Sequence, residues 1–123
     1  MVFDHLGFNV TDFEKGKQFF IEALKPLGMA ITQEGQGWVM IGRRGEGALW
    51  IGSFGETPGP IHVAFSAANR EQVRQFYSAA LAAGGSDNGA PGVRQKYHPN
   101  YYGAYVIGPD GHNIEAVCHS PEP

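Results

Sequence analysis

The chain repeats itself. Displaced by 57 positions, its first half falls on its second without a gap: His5 on His62, Phe8 on Phe65, Glu14 on Glu71, Phe19 on Phe76, Phe20 on Tyr77, Ala23 on Ala80, Leu24 on Leu81 and Gly28 on Gly85. A single coincidence would mean nothing. An ordered set at matching structural positions indicates a duplicated supersecondary unit, and a duplicated unit restricts the architecture more than any other feature of a sequence.

Each copy opens with a strand pattern, "VFDHLGFNV" at 2–10 and "PIHVAFSA" at 60–67. Each continues into a helical one. Thr11, with Glu14 three residues on, has the form of a capping box for the first helix, and Asn69 is a capping residue for the second. Phe13, Phe19, Phe20, Ala23 and Leu24 recur at helical spacing in the first, as do Val73, Phe76, Tyr77, Ala80 and Leu81 in the second. Gly28 and Gly84–Gly85 follow the helices, where chains commonly leave through a left-handed residue. Three strand-like runs then follow the first helix: "GMAITQEG", "GWVMIGRR" and "ALWIGSF". After the second helix the strand signal near "GGSD" is weak and a long loop through Pro91 and Pro99 is expected. "YYGAYVIG" and "HNIEAVC" then read as strands. The unit is βαβββ, written twice. The class is α+β: one domain over 1–123, with module one at about 1–56 and module two at about 57–123. A helix on one face of such a sheet buries the apolar stripe and leaves the other face free.

Composition enters as a set of exclusions. At 42% hydrophobic and 17% charged, the chain is globular. A net charge of −3 without a basic stripe speaks against a nucleic-acid surface. The single cysteine, Cys118, rules out an internal disulfide framework and makes a reducing cytoplasm the expected compartment. It falls on the helix side of the last strand and reads as core. The N-terminal apolar run carries Asp4 and His5, lacks a basic segment and is too short to span a bilayer, so no membrane association is expected. The "SPEP" end reads as a tail.

Alternation along the strands sorts the polar residues. Leu6, Phe8 and Val10 share the face suited to the helix, and His5 points the other way. Ile61, Val63 and Phe65 share that face in the second copy, and His62 points away. In the last strand Ile114, Ala116 and Cys118 face the core, while Glu115 projects with Asn113 and Val117 from the free side. Either histidine could be a satisfied structural residue. Two at equivalent repeat positions, joined by an in-strand carboxylate that otherwise lacks a partner to offset its desolvation, form a divalent-metal pattern. Imidazole and carboxylate suit the transition metals, and three protein ligands leave positions open for substrate or water.

The stretches "FDHLGFNVTDFEKGKQFF" at 3–20, "GPIHVAF" at 59–65 and "GPDGHNIEAV" at 108–117 resemble the vicinal oxygen chelate superfamily. It includes glyoxalase I, bleomycin-resistance proteins, extradiol dioxygenases and fosfomycin-resistance thiol transferases. The resemblance implies paired βαβββ modules forming a cupped mixed β-sheet with helices on the outside. It also implies a divalent metal (Zn, Ni, Fe, Mn or Co) on His5, His62 and Glu115, a small-molecule substrate, and a cleft often completed by a homodimer. One family position departs. Glyoxalase I enzymes carry a fourth ligand on the last strand of the first module, and here that strand offers Leu49 or, with a one-residue slip, Trp50.

Arg94, Lys96, Tyr97, His98, Tyr101, Tyr102 and Tyr105 crowd the segment 94–105. They are either a substrate-anchoring cation with a tyrosine or histidine acid/base, or ordinary strand and solvent-facing residues. On the functional reading Tyr101 and His98 are the catalytic candidates, and Arg94, Tyr105 and Trp50 the substrate-binding ones. Tyr101 and Tyr105 share one strand face; Tyr102 takes the other. His112 and His119 read as turn and tail residues. Trp38, Trp50, Phe54 and the tyrosines near 101 are candidates for covering open sheet edges in a dimer. Two classes of function follow: a metal-dependent glyoxalase-, dioxygenase- or thiol-transferase-like enzyme, or a protein that sequesters a small antibiotic-type ligand without chemistry.

Overall fold

The computed structural model describes residues 3–121; Val2, at the head of the expected first strand, and Glu122–Pro123 of the expected tail lie outside them. The elements run β1 (His5–Asn9), α1 (Phe13–Leu24), a 3₁₀ turn (Lys25–Leu27), β2 (Ala30–Gly35), β3 (Trp38–Gly42), β4 (Ala48–Gly52), β5 (His62–Ser66), α2 (Arg70–Ala82), β6 (Ser86–Val93), β7 (Tyr102–Ile107), a 3₁₀ turn (Pro109–Gly111) and β8 (Asn113–Cys118). They form two four-stranded sheets, ordered β1-β4-β3-β2 and β5-β8-β7-β6. The one parallel pair in each is its first strand against its last, β1 with β4 and β5 with β8. The chain is thus a two-module α+β fold, and the duplication read from the sequence is present in every strand and α-helix.

The helices begin where the backbone is extended and a short polar side chain can turn back on free amides. In α2 that residue is Asn69, as expected, with Oδ1 accepting from Gln72 N–H at 2.9 Å while Gln72 Oε1 accepts from Ala68 N–H at 2.8 Å. In α1 it is Asp12, not Thr11: Asp12 is extended and accepts from Lys15 N–H at 3.2 Å. Thr11 is drawn into another role. Its N–H donates to Asp110 Oδ2 at 3.0 Å and its hydroxyl meets that of Thr57 at 3.1 Å, which ties the start of α1 to the turn before β8.

The buried stripe of α1 (Gly16, Phe19, Phe20, Ala23, Leu24) and that of α2 (Val73, Phe76, Ala80) pack with Val39, Ile41, Leu49, Ile51, Val106 and Ile114 in one core spanning both halves. Cys118 belongs to it. Two expectations change at the edges. The strand after α2 is neither weak nor short. It covers eight residues, Pro91 among them, with two bulges between Asp87 and Gly92. It is the edge of its sheet, so a residue without N–H costs no ladder bond, and bulges let glycine-rich backbone follow its neighbour. Leu6, expected under the helix with Phe8 and Val10, is 43% exposed at the start of edge strand β1. With Phe3 it lines a groove of about 210 Å³ that Val63 and Phe65 of β5 close on the other side.

Candidate functional site

Register decides which side chains meet on the free faces. In the second sheet Ala64 pairs with Glu115 and Tyr105 with Glu115, so His62, Glu115 and Tyr105 stand on one side. Glu115 is 1% exposed, and it and His112 are the two buried polar side chains among the described residues. Both of its oxygens have a partner. Oε1 lies 2.8 Å from His62 Nε2, and Oε2 accepts from the Tyr101 hydroxyl. Gly103 leaves the space this requires, since a Cβ there would stand 3.1 Å from Oε2. Asn113 Nδ2 lies 3.2 Å from His62 Nδ1, which sets the ring with Nε2 toward the carboxylate. Burial first, then the bond to Glu115, holds the Tyr101 hydroxyl far above its ordinary titration range, and burial likewise raises Tyr105. Both are protonated donors at neutral pH.

The first sheet presents the equivalent face. His5, Gly7 and Trp50 share it, with Gly7 paired to Trp50. Gly7 is the repeat mate of Ala64, so the pairing makes Trp50, not Leu49, the counterpart of Glu115. The position has no donor for a metal. Trp50 stacks on Phe54, centroids 6.2 Å apart. His5 Nδ1 is held by Asp4 Oδ1 at 2.8 Å, with the imidazole 55% exposed. This leaves Nε2 open. The chain does not bring His5 together with His62 and Glu115: among the described residues no group of three or more His, Cys, Asp or Glu side chains is placed to hold a metal ion.

Of the remaining candidates, Tyr105 sets its ring edge-on to His62 at 6.2 Å, and Arg94 lies over Tyr105 with its guanidinium carbon 5.4 Å from the ring centre. His98 stands behind Tyr101, rings 5.6 Å apart, and has no hydrogen bond to His62 or Glu115. Its Nε2 meets His119 Nδ1 at 2.7 Å and its Nδ1 accepts from Asn100 N–H. His119 is therefore part of the wall behind Tyr101, not a tail residue. Asn113, which holds His62, carried no role in the sequence reading. Its place on Glu115's face, two residues away, was the available signal.

A sequence model of the glyoxalase/bleomycin resistance protein/dioxygenase superfamily matches residues 2–116. The chain belongs to that superfamily. Its fold is shared with a glyoxalase/bleomycin resistance protein from Albidiferax ferrireducens T118, at 27% identity and a TM-score of 0.85 over 96% of this chain and 99% of that one. Hypothetical protein SA1046 from S. aureus follows at 25% identity and 0.68, covering 96% of each chain. A glyoxalase/bleomycin resistance protein/dioxygenase family enzyme from Burkholderia phytofirmans PsJN, at 17% identity and 0.74 over 95% and 98%, shares the fold. No protein of curated function matches the sequence. The superfamily includes enzymes and binds small molecules, commonly with divalent metals. No helix among the described residues is long and apolar enough to cross a membrane.

His112 closes the turn before β8, as expected, but its side chain lies in the core. It is fully buried, edge-on to Phe8 of the first module at 4.8 Å, with Nδ1 accepting from Ile61 N–H at 3.1 Å and Nε2 unpartnered. Burial lowers its pKa from the ordinary 6.5, against the opposing charge of Asp110. The folded state refuses a proton that the unfolded chain accepts. The stability it supports is complete above about pH 6.5 and is lost as the pH falls from there through the lower folded value. Thermal melting of His112→Gln is expected to depend less on pH between about 7 and 5 than that of the native chain. Equal slopes would contradict this.

Proposed function

We propose that this protein is a metal-dependent enzyme acting on a small oxygen-bearing substrate, and that its metal site joins His62 and Glu115 of one copy to His5 of a second. The observation that carries this is the pairing of a buried carboxylate with His62 on a face that lacks its third ligand, while His5 offers an oriented, unused Nε2. The donor set fits a divalent ion: two imidazoles and a carboxylate, each fixed by a neighbour (Asp4, Asn113, Tyr101) in the manner of outer-shell groups around metals. Among the described residues the outer sides of edge strands β1 and β5 are unpaired, and Phe3 and Leu6 are exposed beside them. A second copy would cover these edges and set one free sheet face against the other.

A divalent ion held there would supply Lewis acidity toward two neighbouring oxygens of a substrate. Tyr101 keeps Glu115 in place and stays protonated, and His62 keeps its Nε2 turned inward. Trp50 at the fourth position supplies no ligand, so a reaction that uses a fourth protein ligand is disfavoured relative to one that needs the three-ligand set alone. The Trp50–Phe54 stack, with Phe54 64% exposed, favours a second reading in which a flat ligand is sequestered without chemistry. Calorimetric titration with Zn²⁺ and Mn²⁺ beside light scattering tests the proposal. The expected result is about one ion per chain in a dimer; a monomer that binds neither ion at micromolar concentration would overturn it.

A further inference from the structure

Beside the His62–Glu115 pair the second sheet carries a cavity of about 280 Å³, lined by Asn88, Arg94, Lys96, Tyr97, Tyr105 and Asn113. We infer that it receives the oxyanion head of the substrate, a carboxylate or a phosphonate- or phosphate-type group. The lining has two cations, two carboxamides and two phenols, and no acid. Neither Arg94 nor Lys96 forms a salt bridge with a carboxylate among the described residues. A cationic cavity without its own counter-charge is suited to a bound anion.

Arg94 is seated in a way that an ordinary solvent-facing arginine is not. Its Nη2 donates to Ala90 O at 2.7 Å, and its guanidinium lies on Tyr105. It also lies against two glycines of β6. A Cβ at Gly89 would stand 3.2 Å from Nη2, and one at Gly92 would stand 2.9 Å from Nη1. The bulged edge strand thus makes room for the guanidinium, and most of the fork's five donors remain for an oxyanion, which guanidinium matches bidentately. Lys96 adds a second charge, its Nζ 5.2 Å from the Tyr97 ring centre. Asn113 connects the cavity to the pair, since the same amide meets His62 Nδ1 and Asn88. The substrate class that follows is a small molecule with an anionic head next to its metal-facing oxygens. That last link rests on the metal reading above; the anion contact itself does not.

The test uses the metal-free full chain, titrated with methylphosphonate, with acetate and with uncharged acetamide, and followed by the Arg94 Nε–H and Asn113 side-chain NMR signals. Both anions are expected to shift these signals saturably and acetamide is not. Arg94→Ala should weaken the tighter anion by about 10-fold or more, while Arg44→Ala, at an exposed arginine elsewhere, leaves it unchanged. Whichever anion binds tighter identifies the head group. Absence of saturable shifts, undiminished binding in Arg94→Ala, or an equal loss in Arg44→Ala would overturn the inference. Zinc titration of the same samples separates the two readings. Anion binding without zinc binding keeps this site and removes the metal proposal, and zinc binding without anion binding does the reverse.

Discussion

Glu115→Gln is expected to lower the affinity for zinc by about 10-fold or more, because perturbing even the groups behind a metal ligand costs that much and this residue is a proposed ligand itself. The substitution keeps the size and the planar end of the side chain. Tyr101 can still donate to the amide oxygen, while the amide NH2 faces His62 Nε2, which accepts it only in the tautomer that gives up the bond from Asn113. The apo protein should melt at about the same temperature, since that lost bond is offset by the desolvation cost that a carboxylate 1% exposed with no Lys or Arg beside it carries and the amide avoids. Glu115→Ala separates shape from charge. It strands the Tyr101 hydroxyl and the His62 ring, at about 1–3 kcal/mol for buried polar groups left unmade. The quantity to measure is the gain in melting temperature on adding zinc, which should be smaller in Glu115→Gln than in the native chain. A lowered apo melting temperature with an undiminished zinc shift would show that Glu115 holds the sheet together and nothing more.

Much of this is legible in the sequence, and the repeat is the reason. His5 and His62 open β1 and β5 at the same point, and the strand–helix units follow at the same interval. The period-2 alternation then placed His5, His62 and Glu115 on free faces correctly. The helix cap was lost by one residue because Thr11 and Asp12 are both good N-caps and propensity does not choose between them; the repeat does, since Asp12 is the mate of Asn69. The strand through Pro91 was hidden because glycine and proline usually punctuate, and only the edge position makes them tolerable in β6. The glycines at 89 and 92 looked like turn residues for the same reason, and their service as the bed of Arg94 depends on a side chain two to five positions away. His112 could not have been recognised from its neighbours. Its burial comes from Phe8, more than a hundred positions earlier, and sequence alternation carries no information on contacts between modules. The fourth-ligand position was ambiguous between Leu49 and Trp50 until the pairing of Gly7 with Trp50 settled it.

In the proposed site His5 comes from a second copy, and the two single variants His5→Ala and His62→Ala test this when mixed. In a two-fold dimer with shared sites, each homodimer has lost a ligand from both sites. A heterodimer concentrates both losses in one site and leaves the other whole. The variants should each bind zinc at least about 10-fold more weakly than the native chain. After unfolding and refolding together in equal amounts, about a quarter of the native number of tight sites should return, because half of the dimers are then mixed and each has one intact site. Recovery of those sites, measured by zinc calorimetry on the mixture, is the result expected from a site built across two copies. No recovery from a mixture that light scattering shows to be dimeric would contradict it.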